Sequence, residues 1–287
     1  MDGDALALVR ASLPRLSAAE ARVAEVILGD PTLVVDLAIT DLARVCRTSL
    51  STVARFAQSL GYSGYRELRV ECARAVTRAQ AQQERFGFDD AVIDLEDTAE
   101  AVVAKIAAQE VSAIEQTALA VDFAGIDRVA SAVAAARHTE LFGQGASALT
   151  AQDFRFKLAR IGCSAGQSSD PHVAFASAAL LSPGAVAIGI SHSGETSETL
   201  RGLEIARATG ATTVALTNAP ESSITRLADV VLYTRARESP LRIAAMSSRI
   251  AQLALLDVLF VRVVQMRGGA SAEPLRLTRD AVAPKRG

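Results

Sequence analysis

The sequence contains few cysteines and no long uninterrupted hydrophobic run. Its three cysteines, Cys46, Cys72 and Cys163, lie far apart without CxxC spacing, so we expect buried, reduced thiols and predict no metal site. The longest apolar stretch, 173–190, is interrupted by serine, proline and glycine, which argues against a membrane span. The N-terminus starts acidic and lacks the basic region of a signal peptide. These absences predict a cytoplasmic protein without a membrane partner.

The composition is that of a folded chain of moderate size. The 287 residues carry a net charge of −2, and 50% of them are hydrophobic, which is enough for a sizeable core. The length favours one large domain or two small ones. Because the global charge is close to zero, any surface for nucleic acid must be locally basic.

The periodicity of apolar residues changes along the chain. Residues 1–85 and 101–136 show helical spacing, whereas short apolar runs alternate with helical segments further on. Strands are predicted at 139–143, 162–166, 185–190, 212–217 and 229–234. This alternation favours an α/β fold with a parallel, doubly wound sheet. We predict four parts: a helical domain (1–85), a linker and connecting helix (86–124), the α/β domain (125–268) and a flexible tail (269–287).

The segment "ITDLARVCRTSLSTVARFAQSLGYSGYRELR" (39–69) has the pattern of two short helices joined by a tight turn. Ser49 is a good N-cap for the second helix, which buries Val53 and Phe56 and ends at Gly61. This arrangement predicts a helix-turn-helix motif.

The exposed face of the second helix is predicted to meet the DNA groove. It consists of Ser51, Thr52, Arg55 and Gln58. Residues 40–85 contain eight arginines and four acidic residues, a local charge of +4 that suits phosphate contacts. The alternative is an ordinary helical hairpin with solvated arginines.

Two turns of the α/β domain have the composition of phosphate sites. The first, in "LFGQGASALTAQDF" (141–154), places Gly143 and Gly145 before a helix N-terminus. The second is "ISHSGETSETL" (190–200), which follows the third strand. In a flavodoxin-like strand order, 2-1-3-4-5, both turns meet at the carboxyl ends of neighbouring strands. Hydroxyls that would face this crevice are those of Ser147, Ser191, Ser193 and Thr196.

Other interpretations of these turns have less support. The hydroxyls alone are also typical of simple helix caps. The first turn fits a dinucleotide fingerprint, but no acidic residue ends the next strand. The sequence lacks a P-loop, and "GISHSG" is out of register for a nucleophile elbow. We therefore predict no cofactor and no catalytic residue.

The apolar segment 244–265 indicates a helix that is buried or lies at a subunit interface.

Both halves resemble one known family. Residues 16–69 resemble the DNA-binding domain of RpiR-type bacterial transcriptional regulators, on the marks "LS.AE..VA..IL..P", "S..TV.RF...LG" and "GY.EL". The two turns, "GATTVALTN" (210–218) and "MSSRIAQLALLDVLF" (246–260) resemble the sugar isomerase (SIS) domain. The family usually has Gly-Val where this chain has Arg47-Thr48. A left-handed non-glycine residue costs about 1 kcal/mol, and we expect the turn to persist with Arg47 facing the DNA backbone.

The resemblance implies a regulator whose five-stranded SIS domain senses a phosphorylated sugar and modulates binding to operator DNA. The implied DNA-binding residues are Arg47, Ser49, Ser51, Thr52, Arg55, Gln58, Tyr62 and Arg66. The implied phosphosugar-binding residues are Gly143, Gly145, Ser147, Ser191, His192, Ser193, Gly194, Glu195 and Thr196, with His172 and Glu238 as weaker candidates.

The alternative function is a phosphosugar isomerase or lyase with an accessory helical domain. Isomerisation needs a positioned base and an acid. Glu195 and His192 have no second carboxylate clearly placed beside them, so sensing is favoured. Operator binding through paired helix-turn-helix units predicts a homodimer or tetramer.

Overall fold

The computed structural model describes residues 5–86, 93–238 and 245–282 of the chain. It divides into two compact units, residues 1–91 and 92–287, which we describe separately. The four-part division at 85, 124 and 268 stays a prediction.

The first unit is helical throughout its described residues. Ser17 begins the second helix with a capping box, in which its hydroxyl accepts from the Glu20 N–H while the Glu20 carboxylate accepts from the Ser17 N–H. Ile27, Leu42 and Phe56 are fully buried and form the centre of its core. Its helices are α1 (Ala5–Ser12), α2 (Ala18–Gly29), α3 (Thr32–Asp36), α4 (Ile39–Val45), α5 (Leu50–Ser59) and α6 (Tyr65–Phe86).

The second unit is a parallel sheet covered by helices on both faces. Its strands are β1 (Thr139–Gly143), β2 (Ala165–Gln167), β3 (Val186–Ile190), β4 (Thr212–Thr217) and β5 (Val230–Tyr233). Their order is β2-β1-β3-β4-β5, and every pairing is parallel. The predicted strand order is confirmed, and four strands lie within one residue of their predicted ends. The second strand lies later than the predicted 162–166 and shares only residues 165 and 166 with that range.

The helices of the second unit precede the sheet (α7 and α8), alternate with its strands (α9 to α12) or follow its last strand (α13 and α14). They are α7 (Ala99–Leu119), α8 (Phe123–Ala135), α9 (Ala146–Arg160), α10 (Pro171–Ala179), α11 (Ser197–Ala208), α12 (Ser223–Leu227), α13 (Ser247–Arg267) and α14 (Ala272–Val282). No described helix is long and apolar enough to cross a membrane.

Two apolar layers hold the sheet. All residues of β1 and β3 are buried, as expected for strands covered on both faces. Leu141 packs with Phe154 and Leu256 on the face of α8, α9 and α13. Phe142 packs with Leu203 on the face of α10 and α11. The sheet is therefore a rigid base for the turns at its carboxyl edge.

The C-terminal segment differs from the predicted flexible tail. The predicted flexible tail is helical over Ala272–Val282, and Leu275 packs against the core of the second unit. Ion pairs from Arg276 to Glu273 and Asp280 lie on this helix.

Candidate functional sites

The helix-turn-helix motif is present in the first unit. The turn between α4 and α5 closes through the Thr48 N–H, which donates to the Ala43 carbonyl at 2.9 Å. Arg47 occupies the left-handed region with φ 48°, and it is the only non-glycine residue with positive φ among those described. The expectation that the turn persists without glycine is confirmed, at a cost of about 1 kcal/mol.

Both ends of α5 form as predicted. The Ser49 hydroxyl accepts from the Thr52 N–H at 3.2 Å and satisfies one of the unpaired donors at the helix start. Gly61 ends the helix with φ 90°, and the next N–H, that of Tyr62, donates to the Ala57 carbonyl.

Two of the predicted DNA-binding residues are in the core instead. Thr52 is 5% exposed on the buried side of α5, and its hydroxyl lies 2.9 Å from Ser49 Oγ. Tyr62 is 3% exposed and packs in the core of the first unit. Neither side chain presents a surface for a DNA contact, so both assignments are withdrawn.

The other predicted DNA-binding residues lie on the surface: Arg47, Ser49, Ser51, Arg55, Gln58 and Arg66. Nearby arginines are engaged, since Arg44 pairs with Asp41 and Arg74 pairs with Glu71. Within the described residues, the three arginines of the predicted surface form no salt bridge. Their charge is therefore available to a polyanion.

In the second unit, the glycine-rich first turn and the hydroxyl-rich second turn begin side by side. Gly143, the last residue of β1, pairs with Ile190, the last residue of β3. Strand order reverses between these two strands, and crevices at such points bind ligands in doubly wound folds. The topology therefore brings the turn before α9 and the turn before α11 to one edge.

The first turn depends on a close approach of backbone. A β-carbon on Gly143 would lie 2.7 Å from the Ser147 carbonyl oxygen, so only glycine lets α9 begin this close to β1. Gly145 is exposed, with φ 56°, and stands at the N-cap of α9. Ser147 follows in the first turn of the helix and is half-buried.

Hydrogen bonds between its own residues hold the second turn in shape. Ser191 is 2% exposed, and its hydroxyl accepts from the Gly194 N–H at 3.1 Å and lies 3.0 Å from Thr196 Oγ1. Ser193 is exposed and Thr196 is half-buried at the N-cap of α11. The Ser191 hydroxyl thus holds the loop, while Ser193 stands on its surface.

Glu195 belongs to the structure of the turn. Its carboxylate accepts from the Ser223 N–H at 2.7 Å at the start of α12. Hydrogen bonding by Ser223 lowers the pKa of Glu195, so the group is an ionised cap. An engaged carboxylate with a lowered pKa is a poor general base.

His192 lies where β3 and β4 end. Its carbonyl accepts from the Asn218 N–H at 3.1 Å and from the Thr217 hydroxyl at 3.3 Å. These bonds fix the second turn to the neighbouring strand.

The two weaker candidates occupy other places. His172 is exposed in the first turn of α10, where its N–H donates to the Asp170 carboxylate. Glu238 accepts from the Ser248 N–H at 2.7 Å, at the start of α13. No contact in the described residues joins either side chain to the two turns, and both remain predictions.

Gln252 on α13 also contacts the first turn, although the sequence pattern did not predict it as a site residue. This side chain is 1% exposed, and its Nε2 donates to Ser147 Oγ at 3.2 Å. The available signal was one glutamine in the otherwise apolar run "IAQLALL", because a polar residue on a buried helix needs a partner. Among the described residues, no group of three or more potential metal ligands is present.

An all-helical unit with a helix-turn-helix and a doubly wound unit with a ligand-binding edge together define a ligand-responsive DNA-binding protein. Residues 3–79 match the family model "Helix-turn-helix domain, rpiR family", and residues 133–262 match the SIS domain model. The chain belongs to the RpiR family of helix-turn-helix transcriptional regulators that carry an SIS domain.

Relatives support this assignment over the full length. An uncharacterized HTH-type transcriptional regulator of Caldanaerobacter subterraneus subsp. tengcongensis is 32% identical over 283 residues, covering 99% of this chain and 98% of the relative. One from Haemophilus influenzae is 30% identical over 284 residues, again with 99% and 98% coverage. The chain is accordingly a transcriptional regulator, and the isomerase alternative is set aside.

Similar solved structures include one that spans the whole chain and one of the second unit alone. The Vibrio vulnificus NanR protein complexed with ManNAc-6P is 28% identical, covers 97% of each chain and has a TM-score of 0.60. The sugar isomerase domain of an RpiR transcription factor from Sphaerobacter thermophilus is 22% identical, with a TM-score of 0.57. It covers 62% of this chain and 98% of that one, and it supports the fold of the second unit.

Proposed function

We propose that this regulator binds operator DNA through its first unit and a phosphorylated sugar through the crevice of its second unit. The juxtaposition of the two turns at the paired residues Gly143 and Ile190 carries the proposal. NanR, which is similar along the whole chain, was solved with a sugar phosphate bound, and this supports the ligand class.

The phosphate is held by hydroxyls and helix N-termini. Ser147, Ser193 and Thr196 supply hydroxyl groups, and α9 and α11 point their N-terminal ends at the same edge of the sheet. Ser191 and Gly194 give the second turn its shape, and Gly145 leaves room for the ligand. His192 and Glu195 line the turn.

On the DNA side, the N-terminal end of α5 enters the major groove. Arg55 and Gln58 reach toward base edges or phosphates, and Ser51 allows close approach. Arg47, Ser49 and Arg66 contact the backbone, where positive charge contributes most of the affinity.

The regulator acts in the cytoplasm as a dimer or tetramer. Two helix-turn-helix units at a fixed separation match two half-sites about one DNA turn apart. Exposed apolar side chains on α9 and α13 support pairing of the second unit: Leu149, Phe156, Val258 and Val261. A phosphosugar that prefers one arrangement of the subunits shifts operator affinity by that preference.

A thermal-shift panel of sugar phosphates tests the ligand class, because a ligand raises the melting temperature of the state it binds. We expect stabilisation by at least one sugar phosphate but not by its unphosphorylated sugar, and no conversion between aldose and ketose. Ser193→Ala should abolish the shift. Ser197→Ala is the matched control, since its exposed hydroxyl bonds Glu198. Equal shifts in both variants would contradict the proposed site.

A further inference from the structure

Gln252 links the first turn to the closing helix of the second unit. Its Nε2 lies 3.2 Å from Ser147 Oγ, and its Oε1 lies 3.1 Å from Thr150 Oγ1. Thr150 is fully buried, and its hydroxyl also lies 2.9 Å from the Ser147 carbonyl oxygen. The buried amide of α13 thus spans two hydroxyls within the first turns of α9.

The direction of these hydrogen bonds determines whether the Ser147 hydroxyl can donate to a ligand. A hydroxyl has one proton and can also accept. In the amide orientation of this structure, Nε2–H donates to Ser147 Oγ, which leaves the Ser147 proton for another acceptor. A phosphate oxygen in the crevice is an acceptor that carries charge, and bonds to charged groups are stronger than neutral ones.

We propose that Gln252 is a positioning residue of the phosphosugar site, which orients the Ser147 hydroxyl as a donor to the phosphate. This inference rests on the proposed function. Gln252 lies too deep to meet the ligand, since 1% of it is exposed, and it acts through Ser147. The closing helix therefore contributes to ligand affinity although it supplies no direct contact.

The test is isothermal titration of the full chain with N-acetylmannosamine 6-phosphate and with inorganic phosphate. Gln252→Leu keeps the volume of the side chain and removes both bonds, and we expect about 10-fold weaker binding of both probes. Gln265→Leu makes the same change on an exposed part of α13, where the glutamine accepts from Arg262, and should bind like the wild type.

A double-mutant cycle separates positioning from packing. In a Ser147→Ala background, Gln252→Leu should cause no further loss of affinity, because the group that it orients is gone. A further loss of about 10-fold in this background would show that Gln252 acts elsewhere, and it would overturn the proposal.

A second substitution covers the case in which leucine disturbs folding. Gln252→Glu is nearly isosteric, but its carboxylate only accepts, so Ser147 would donate to it and lose its donor role. We expect weaker binding than in the wild type, and wild-type affinity would refute the inference.

The same titrations include Ser193→Ala, so that failure of the inference can be distinguished from failure of the proposed function. If Ser193→Ala weakens binding and both Gln252 variants bind normally, the inference fails and the proposed function stands. If no sugar phosphate of the thermal-shift panel binds the wild type, or Ser193→Ala binds like the wild type, the proposed function fails and the inference falls with it.

Discussion

Substituting Gly194 by alanine should damage the second turn in two separable ways. Gly194 has φ 69°, which costs an alanine about 1 kcal/mol. A β-carbon there would also overlap Ser222 Oγ, whose hydroxyl donates to the Ala219 carbonyl at 2.8 Å. Relieving that overlap costs about 1–3 kcal/mol, typical of overpacking. The total is about 3 kcal/mol, or a drop of about 6–12 °C in the melting temperature.

Alanine substitutions at two other glycines separate the backbone cost from the cost of the overlap. Gly184 has φ 88° with open space around it, so Gly184→Ala should show the backbone cost alone, about 1 kcal/mol. Gly269 has neither a positive φ nor a neighbour within 4 Å, and Gly269→Ala should leave the melting temperature unchanged or slightly raised.

Differential scanning calorimetry of the three variants in the full chain measures these differences. Gly194→Ala should melt lowest, and it should also lose sugar-phosphate binding, because the Ser193 hydroxyl is carried by the same turn. If Gly194→Ala and Gly184→Ala melt at the same temperature, the close approach of Ser222 to Gly194 is wrong, and with it the packing of the turn against α12.

Three further predictions concern single residues. Arg55→Ala should weaken operator binding and leave sugar-phosphate binding intact; fluorescence anisotropy at several salt concentrations should show a slope lower by about 1 if Arg55 contacts a phosphate. Arg47→Gly should stabilise the first unit by about 1 kcal/mol in thermal melts, by relieving the left-handed residue, yet weaken operator binding by removing a cation. Glu195→Gln should destabilise the second unit above pH 4.5, the ordinary pKa of the group, because the lowered pKa of Glu195 stabilises the folded state only while the carboxylate is ionised. That difference should disappear as the pH falls through the lowered pKa, and melts that differ equally at pH 7 and pH 2 would contradict it.

Local patterns predicted much of this structure because local physics decides it. The Ser49 cap, the Gly61 stop and the apolar spacing of α5 depend on residues a few positions apart. The strand order followed from the alternation of strands and helices, which restricts a doubly wound sheet to few arrangements. This strand order places the two phosphate-type turns at the ends of adjacent strands, so no tertiary contact had to be known to predict that they lie together.

The errors arise where tertiary contacts decide. Thr52 lies four residues before Phe56 on α5, and the packing of that side of the helix buries it. Tyr62 carries a large apolar body, and its burial depends on helices that the local pattern does not position. Gln252 lies 105 residues from Ser147, and only the packing of α13 on α9 brings them together. The sequence shows that such a glutamine needs a partner, but not which one.

None of the residues proposed to hold the phosphate is a lysine, and this suits a sensor. Neutral hydroxyls and backbone N–H groups give a phosphate directional bonds but no full opposing charge, so part of the affinity available to a charged site is absent. A sensor must release its ligand when the metabolite falls, which requires a Kd close to the metabolite concentration. It must also leave the ligand unchanged, and the acid near the turn, Glu195, is held by Ser223 as an ionised cap. A ligand changes operator affinity only by the difference between its affinities for the two subunit arrangements. Because the ligand is not converted, its binding free energy can contribute to that difference.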